Sequence, residues 1–310
     1  MGIFAILLIY ALWSSVFALG KLALQGAAPF FLISFRMLLA AVAILGFLKW
    51  KHKALFALSS RQWLALFSLG FVSIYLTNIL EFWSLQYLPA AKACFIYSLS
   101  PFFAAFFSYI HFKEKMNLQK WIGLTIGLIA VLPVLSIQDP TESLFALSSL
   151  ISWPGITMIL ASLFSVYGWI LMRVCIKKES LSPAFSNGMS MGIGGFLALI
   201  HSFLFESWHP LPVEPGMLSS TIWLTCILTF ISNILCYNLY GWLLKRYTAT
   251  LLSFAGLLSP LFASLHAWLF LKEPFSPVIL SSTLLLSLAL WLVYSSELKQ
   301  GYIEKAEAIK

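Results

Sequence analysis

Apolar residues in this chain fall into long unbroken runs. They show neither the short alternation of a strand nor the narrow stripe of a soluble helix. Ten runs can be bounded, at 2–22, 30–49, 63–85, 90–111, 119–137, 153–174, 185–205, 219–243, 249–271 and 276–296. A helix rising about 1.5 Å per residue needs about 20 such residues to cross a hydrocarbon layer some 30 Å thick. Each run therefore predicts a transmembrane helix, since a helix satisfies its own backbone N–H and C=O groups in lipid. Polar punctuation separates them, as in Gln25-Gly26 and Gln138-Asp139-Pro140, and one long connection, 206–218, holds Pro210, Pro212, Pro215 and Gly216. The expected fold is all-α, a polytopic membrane protein of ten transmembrane helices. Residues 2–20 lack a charged start and a small-residue cleavage site, so they read as a retained first helix and not a signal peptide.

Composition strengthens this picture. The chain is 61% apolar and 10% charged, against about 45–50% and 25% in soluble domains. A net charge of +8 would suggest nucleic acid in a soluble protein. Here the basic residues cluster between apolar runs and act as topology signals, so no nucleic-acid partner is expected. Loops after even-numbered helices, together with the C-terminal tail, hold 15 of the 19 Lys and Arg residues. The opposite loops hold only Lys21 and Lys272, and they carry Asp139, Glu142, Glu206 and Glu214. That asymmetry puts both termini in the cytoplasm of a bacterial cell, with the chain in the inner membrane. Cys94, Cys175, Cys226 and Cys236 lie in or beside apolar runs without CxxC spacing, which points to reduced, buried thiols. Neither a metal nor a cofactor is expected.

The chain also repeats itself. Residues 80–114 match 239–273 at a constant offset of 159, with 12 of 35 positions identical. The ordered part of the match is Leu99-Ser100-Pro101, Phe103-Ala104 and Lys113-Glu114 against Leu258-Ser259-Pro260, Phe262-Ala263 and Lys272-Glu273. The expected organisation is a first five-helix repeat over 1–137, an outer linker over 138–152, a second five-helix repeat over 153–296 and a cytoplasmic tail over 297–310. Five spans per half is an odd number, so the second half must enter the membrane upside down. Inverted repeats of this kind characterise secondary transporters, whose substrates bind at mid-membrane between the repeats.

These residues resemble the drug/metabolite transporter superfamily in its ten-helix EamA-type branch. The resemblance runs from Ala11-Leu12-Trp13-Ser14-Ser15 to the last helix. It is strongest at Ser98-Leu99-Ser100-Pro101, Phe112-Lys113-Glu114, Leu258-Ser259-Pro260 and Trp268 to Pro274. Arg36 matches the Arg usual in the second helix, while Ser14 replaces the usual Gly after the first-helix Trp. The resemblance implies two five-helix bundles around a central cavity that opens to each side in turn. It also implies a small-molecule substrate drawn from amino acids, nucleotide precursors, drugs and S-adenosylmethionine.

Charges inside the membrane are the sharpest site signal, since an unpaired one costs about 2.5–3.5 kcal/mol or more. Arg36, Glu81 and Lys92 fall at similar depth in helices 2, 3 and 4. Glu81 suits a substrate ammonium or sulfonium, and Arg36 or Lys92 a carboxylate. The bland alternative is a structural Arg36–Glu81 ion pair, with Lys92 snorkelling to the headgroups. Tyr75, Asn78 and Glu81 are spaced to share one face of helix 3, and Asn233, Tyr237 and Tyr240 one face of helix 8. Such faces line a cavity or bond to neighbouring helices. Among the abundant aromatics, Trp13, Phe17, Trp83, Tyr97, Tyr167 and Trp169 lie nearest the polar faces, where rings would hold a cation or a flat base. Pro101 and Pro260 fall mid-helix in repeat-related helices, as gating hinges or static bends. Gly188, Gly192, Gly194 and Gly195 favour close helix packing. His201 and His266 stand apart.

An integral-membrane enzyme is the rival class, but the 11 acidic residues form no metal-binding DxxxD or DDxxD, and no HExxH, GxSxG or Walker motif occurs. No filter repeat or charged ring marks a channel. The expectation is a non-enzymatic secondary transporter, monomeric or homodimeric. A zwitterion bearing a positive charge and an aromatic base, such as S-adenosylmethionine, suits Glu81, Arg36 and the aromatics together. Amino-acid, amine or drug export is the close alternative.

Overall fold

A computed structural model describes residues 2–51, 58–88, 93, 96–138, 152–262, 265–266 and 277–303. Among them the backbone is helical apart from turns and one isolated antiparallel bridge, Ala27 to Val213. The helices are α1 (Gly2–Ala23), α2 (Pro29–Lys51), α3 (Ser60–Leu85), α4 (Ser100–Phe112), α5 (Leu118–Gln138), α6 (Trp153–Lys177), α7 (Pro183–Phe205), α8 (Leu218–Leu243), α9 (Ala249–Phe262) and α10 (Pro277–Lys299). Their starts follow local chemistry. Ser59, Ser152, Ser182 and Thr248 each accept a backbone N–H from the first turn of α3, α6, α7 and α9. Pro sits in the first turn of α6 and α7, where the missing N–H costs nothing.

Seven helices among the described residues are long and apolar enough to cross a membrane. The surface agrees with a lipid environment. Val42, Trp50, Trp153 and Phe205 are all more than 70% exposed, and a water-soluble surface does not tolerate so broad an apolar belt. The protein is a polytopic, all-helical membrane protein.

Packing pairs helices from the first part of the chain with helices from the last. α2 lies along α7, α5 along α10 and α4 against α9, while α1 packs on α8 as α3 packs on α6. The α2–α7 pair is antiparallel. Gly188, Gly192 and Gly195 of α7 face Leu45, Ala41 and Met37 of α2 in turn, and Glu206 meets Phe30 and Phe31. The glycines let the two backbones approach closely. α5 and α10 are antiparallel as well. The Gln119 side chain donates to the Leu292 carbonyl at 3.0 Å and to Ser295 Oγ at 2.7 Å, and Ser296 Oγ donates to Asn117 Oδ1 at 2.9 Å.

Two features depart from regular α-helix. Gly70–Leu76 of α3 and Thr229–Cys236 of α8 are π-helical, and the two stretches begin 159 residues apart. In α4 the turn at Ser98-Leu99 directly precedes the helix, and in α9 a 3₁₀ turn spans Gly256–Leu258. This corrects the mid-helix placement of Pro101 and Pro260. Pro101 stands in the first turn of α4, and Pro260 directly follows the 3₁₀ turn and Ser259. Neither breaks the middle of a regular helix, because the break comes before it.

Charged side chains clamp both ends of the bundle. At the Lys/Arg-rich end, Arg173 Nη1 of α6 lies 2.6 Å from Glu114 Oε1 with both side chains buried, and Lys120 Nζ of α5 lies 3.2 Å from Glu297 Oε1 of α10. Thr248 Oγ1 also donates to Glu297 at 2.6 Å. At the other end the Glu206 carboxylate accepts the Phe30 and Phe31 N–H groups at 2.7 and 2.8 Å, capping α2 from a distant part of the chain. Ser202 donates to the same carboxylate at 2.6 Å.

Candidate functional site

The helices line a partly open cavity of about 140 Å³. Its walls come from the middle of α1, α2 and α6, the second half of α3, the approach to α4, and the centres of α8 and α9. Arg36 and Glu81 are the charged residues among its described lining, and Trp13, Asn78, Tyr97 and Tyr237 join them there.

Arg36 and Glu81 attract each other across the cavity, but each makes its hydrogen bond with another residue. Arg36, 2% exposed, donates from Nη2 to Asn78 Oδ1 at 2.7 Å, and its guanidinium lies 4.8 Å from the Phe82 ring. Its Nε and Nη1 have no hydrogen-bond partner. Glu81 accepts the Tyr97 hydroxyl at 2.6 Å. The direct Arg36–Glu81 ion pair weighed above is therefore replaced by two separate polar pairs. Asn78 is itself held by donating to the Ile74 carbonyl at 2.8 Å. Such buried polar atoms cost free energy unless matched, and a ligand carrying both charge signs matches both pairs.

An aromatic wall adjoins the polar one, and Tyr237 joins the two through a side-chain hydrogen bond with Asn78. Trp169 stacks on Tyr240 with centroids 4.1 Å apart, and Tyr237 leans on Trp169 at 5.1 Å. Trp13 meets Trp169, Tyr237 and Tyr240 at 5.8, 5.8 and 5.6 Å. Trp13 Nε1 donates to Ser232 Oγ at 3.4 Å. Hydroxyls of Ser98, Ser100, Ser165, Ser253 and Ser259 complete much of the lining.

Three expected residues stand outside the lining. Tyr75 bonds through its hydroxyl to His201 Nδ1 at 2.8 Å, facing α7. Asn233, fully buried, donates to Met37 Sδ at 2.9 Å between α8 and α2. Both lie within π-helical stretches, whose i→i+5 bonding shifts the angular phase of the helix. A strict α count therefore selects the wrong neighbours of Asn78 and Tyr237, and on α8 it is Ser232, five residues before Tyr237, that lines the cavity. Tyr167 packs on Phe107 at 4.9 Å and His111 at 5.5 Å. Its neighbours Ser165, Val166 and Trp169 occupy the cavity face of α6, and Tyr167 falls away from it. Lys92 lies outside the described residues, as does most of the 138–152 linker. The sequence reading missed Tyr10, Thr77 and the serines. Small hydroxyls in apolar runs carry no periodic signal of their own.

A membrane bundle around a central cavity lined by an arginine and a glutamate has the architecture of a small-molecule transporter. The profile of the EamA-like transporter family matches residues 1–136 and 152–295, and the chain belongs to that family. Full-length relatives include an S-adenosylmethionine/S-adenosylhomocysteine transporter of Chlamydia muridarum, 40% identical across 99% of this chain and 96% of the relative. A protein of the same description from Chlamydia trachomatis is 40% identical across 99% of this chain and 93% of its own length. A solved crystal structure sharing 15% identity superposes over 95% of this chain and 97% of the other with a TM-score of 0.72, a likeness of fold.

Proposed function

We propose that this protein carries S-adenosylmethionine and S-adenosylhomocysteine across the bacterial inner membrane by alternating access. Its halves, 1–137 and 153–296, act as inverted five-helix repeats with both termini cytoplasmic. The observation that carries the substrate reading is two ionisable groups of opposite sign in one cavity that form no direct ion pair, Arg36 on Asn78 and Glu81 on Tyr97. A guanidinium with free N–H groups suits a carboxylate, the carboxylate of Glu81 suits a sulfonium or ammonium, and the aromatic wall suits adenine. The names of the Chlamydia relatives support the same cargo. The antiparallel packing of α2 on α7 and α5 on α10 supports the inverted arrangement. The turns before Pro101 and Pro260 are the natural bending points, because each interrupts its helix beside the cavity.

The test is uptake of labelled S-adenosylmethionine into proteoliposomes loaded with S-adenosylhomocysteine, with amino acids, amines and nucleosides as competitors. Glu81→Gln at normal abundance should lower apparent affinity about 10- to 100-fold, the worth of one charge-assisted contact. Absence of uptake by the wild-type protein, or unchanged uptake by Glu81→Gln, refutes the assignment. Preferential inhibition by plain amino acids would favour the amino-acid reading instead.

A further inference from the structure

The cavity is symmetric in position and asymmetric in chemistry. At the 159-residue offset, Asn78 corresponds to Tyr237, Glu81 to Tyr240, and Ser100 to Ser259, and all six line it. The serine pair keeps one chemistry on both sides. The other two pairs have diverged, with Asn and Glu in the first half and Tyr in the second. Arg36 and Tyr97, which complete the polar wall, also come from the first half. Of the five rings in the adjoining aromatic wall, Trp169, Tyr237 and Tyr240 come from the second half, and α1 supplies Tyr10 and Trp13. Trp169 and Tyr240 are buried and stacked. Trp13 and Tyr237 are half-buried, so theirs are the rings a ligand can lie on, with the stacked pair as a rigid backing.

Resting on the cargo reading above, we infer that the ligand lies across the two halves, its amino-acid end on Arg36 and Glu81 and its base on Trp13 and Tyr237, so that only a molecule carrying both ends is transported. The reason is energetic. A ligand can shift the equilibrium between two arrangements only by its differential affinity for them. A molecule held on one half binds equally well whether or not the other half closes on it, and so drives no closure. A tethered two-ended molecule gains the second contact only on closure, at the high effective concentration of an intramolecular step. Selection against free adenosine and free amino acids then arises from the requirement to bridge, without a pocket that excludes them by size.

The experiment uses the full chain in proteoliposomes, with adenosine and S-methylmethionine as the two half-ligands. Each should compete with labelled S-adenosylmethionine, and neither, labelled itself, should accumulate, alone or together. Tyr237→Ala should weaken adenosine competition about 10- to 100-fold, the worth of a base–ring stack, and S-methylmethionine competition by much less, since Tyr237 reaches the polar wall only through its hydroxyl on Asn78. Arg36→Gln should do the reverse. Tyr237→Phe keeps the ring, should retain adenosine competition, and guards against misfolding of the alanine variant. Accumulation of either half-ligand, or equal loss of both competitions in one folded variant, overturns the inference while the cargo assignment stands. Failure of wild-type S-adenosylmethionine uptake would instead remove the cargo assignment.

Discussion

Replacing Glu114 with Gln leaves the Arg173 guanidinium, 3% exposed, without its counter-charge. At 2.6 Å and an effective dielectric constant of about 20, the pair's Coulomb attraction is roughly 6 kcal/mol. Burial of two ions costs several kcal/mol each, so the net worth of the intact pair is small while the cost of halving it is large, about 3–5 kcal/mol. The geometry sharpens this contrast. Glu114 Oε2 and Arg173 Nε have no hydrogen-bond partner, although the guanidinium lies 4.3 Å from the Phe112 ring. Glu114→Gln and Arg173→Gln should therefore each lower the melting temperature in detergent by several degrees or more. The apolar double replacement Glu114→Leu with Arg173→Met should restore most of the loss or exceed the wild type. Melting followed by size-exclusion fluorescence reads all four proteins. Single variants that melt with the wild type, or a double variant as unstable as the worse single, would refute this account of the clamp.

Other expectations concern the opposite end and the helix contacts. Glu206→Ala should destabilise by about 1.5–3 kcal/mol by uncapping α2, and a melt indistinguishable from wild type would show the cap to be idle. Gly168→Val should be destabilising by about 1–3 kcal/mol, since a β-carbon there runs into the Ser73 side chain and its Cα at 2.8 Å. Gly46→Ala, where a β-carbon meets nothing within 4 Å, should gain about 0.5–1 kcal/mol in the same assay. Tyr75→Phe removes the bond to His201 outside the cavity lining, so S-adenosylmethionine uptake should keep its wild-type affinity. A marked loss of affinity would return Tyr75 to the site.

Much of the architecture was legible in the chain because lipid imposes few choices. Apolar runs of membrane-crossing length must become helices, and α1, α2, α6, α7 and α8 match their expected bounds within a few residues. Intramembrane charge is rare for the same reason, which is why Arg36 and Glu81 could be singled out from so apolar a sequence. Which way a helix faces was harder to read. In a soluble helix the polar face marks water, whereas here both the interior and the lipid side are apolar, so Tyr167 and Ser165 are indistinguishable by hydropathy alone.

The order of residues dictates the number and length of the apolar runs, the match at a 159-residue offset and the presence of Arg36 and Glu81 within membrane-spanning segments. Tertiary structure decided which side chains meet. The π turns at Gly70–Leu76 and Thr229–Cys236 rotated Tyr75 and Asn233 out of the cavity and left Ser232 in it. Packing of α2 beside α3 gave Arg36 to Asn78 and left Glu81 to Tyr97. Glu206 reached α2 only because α7 runs antiparallel to it. Local hydropathy acts within one segment, whereas these partnerships depend on the angular phase and crossing of helices distant in the chain.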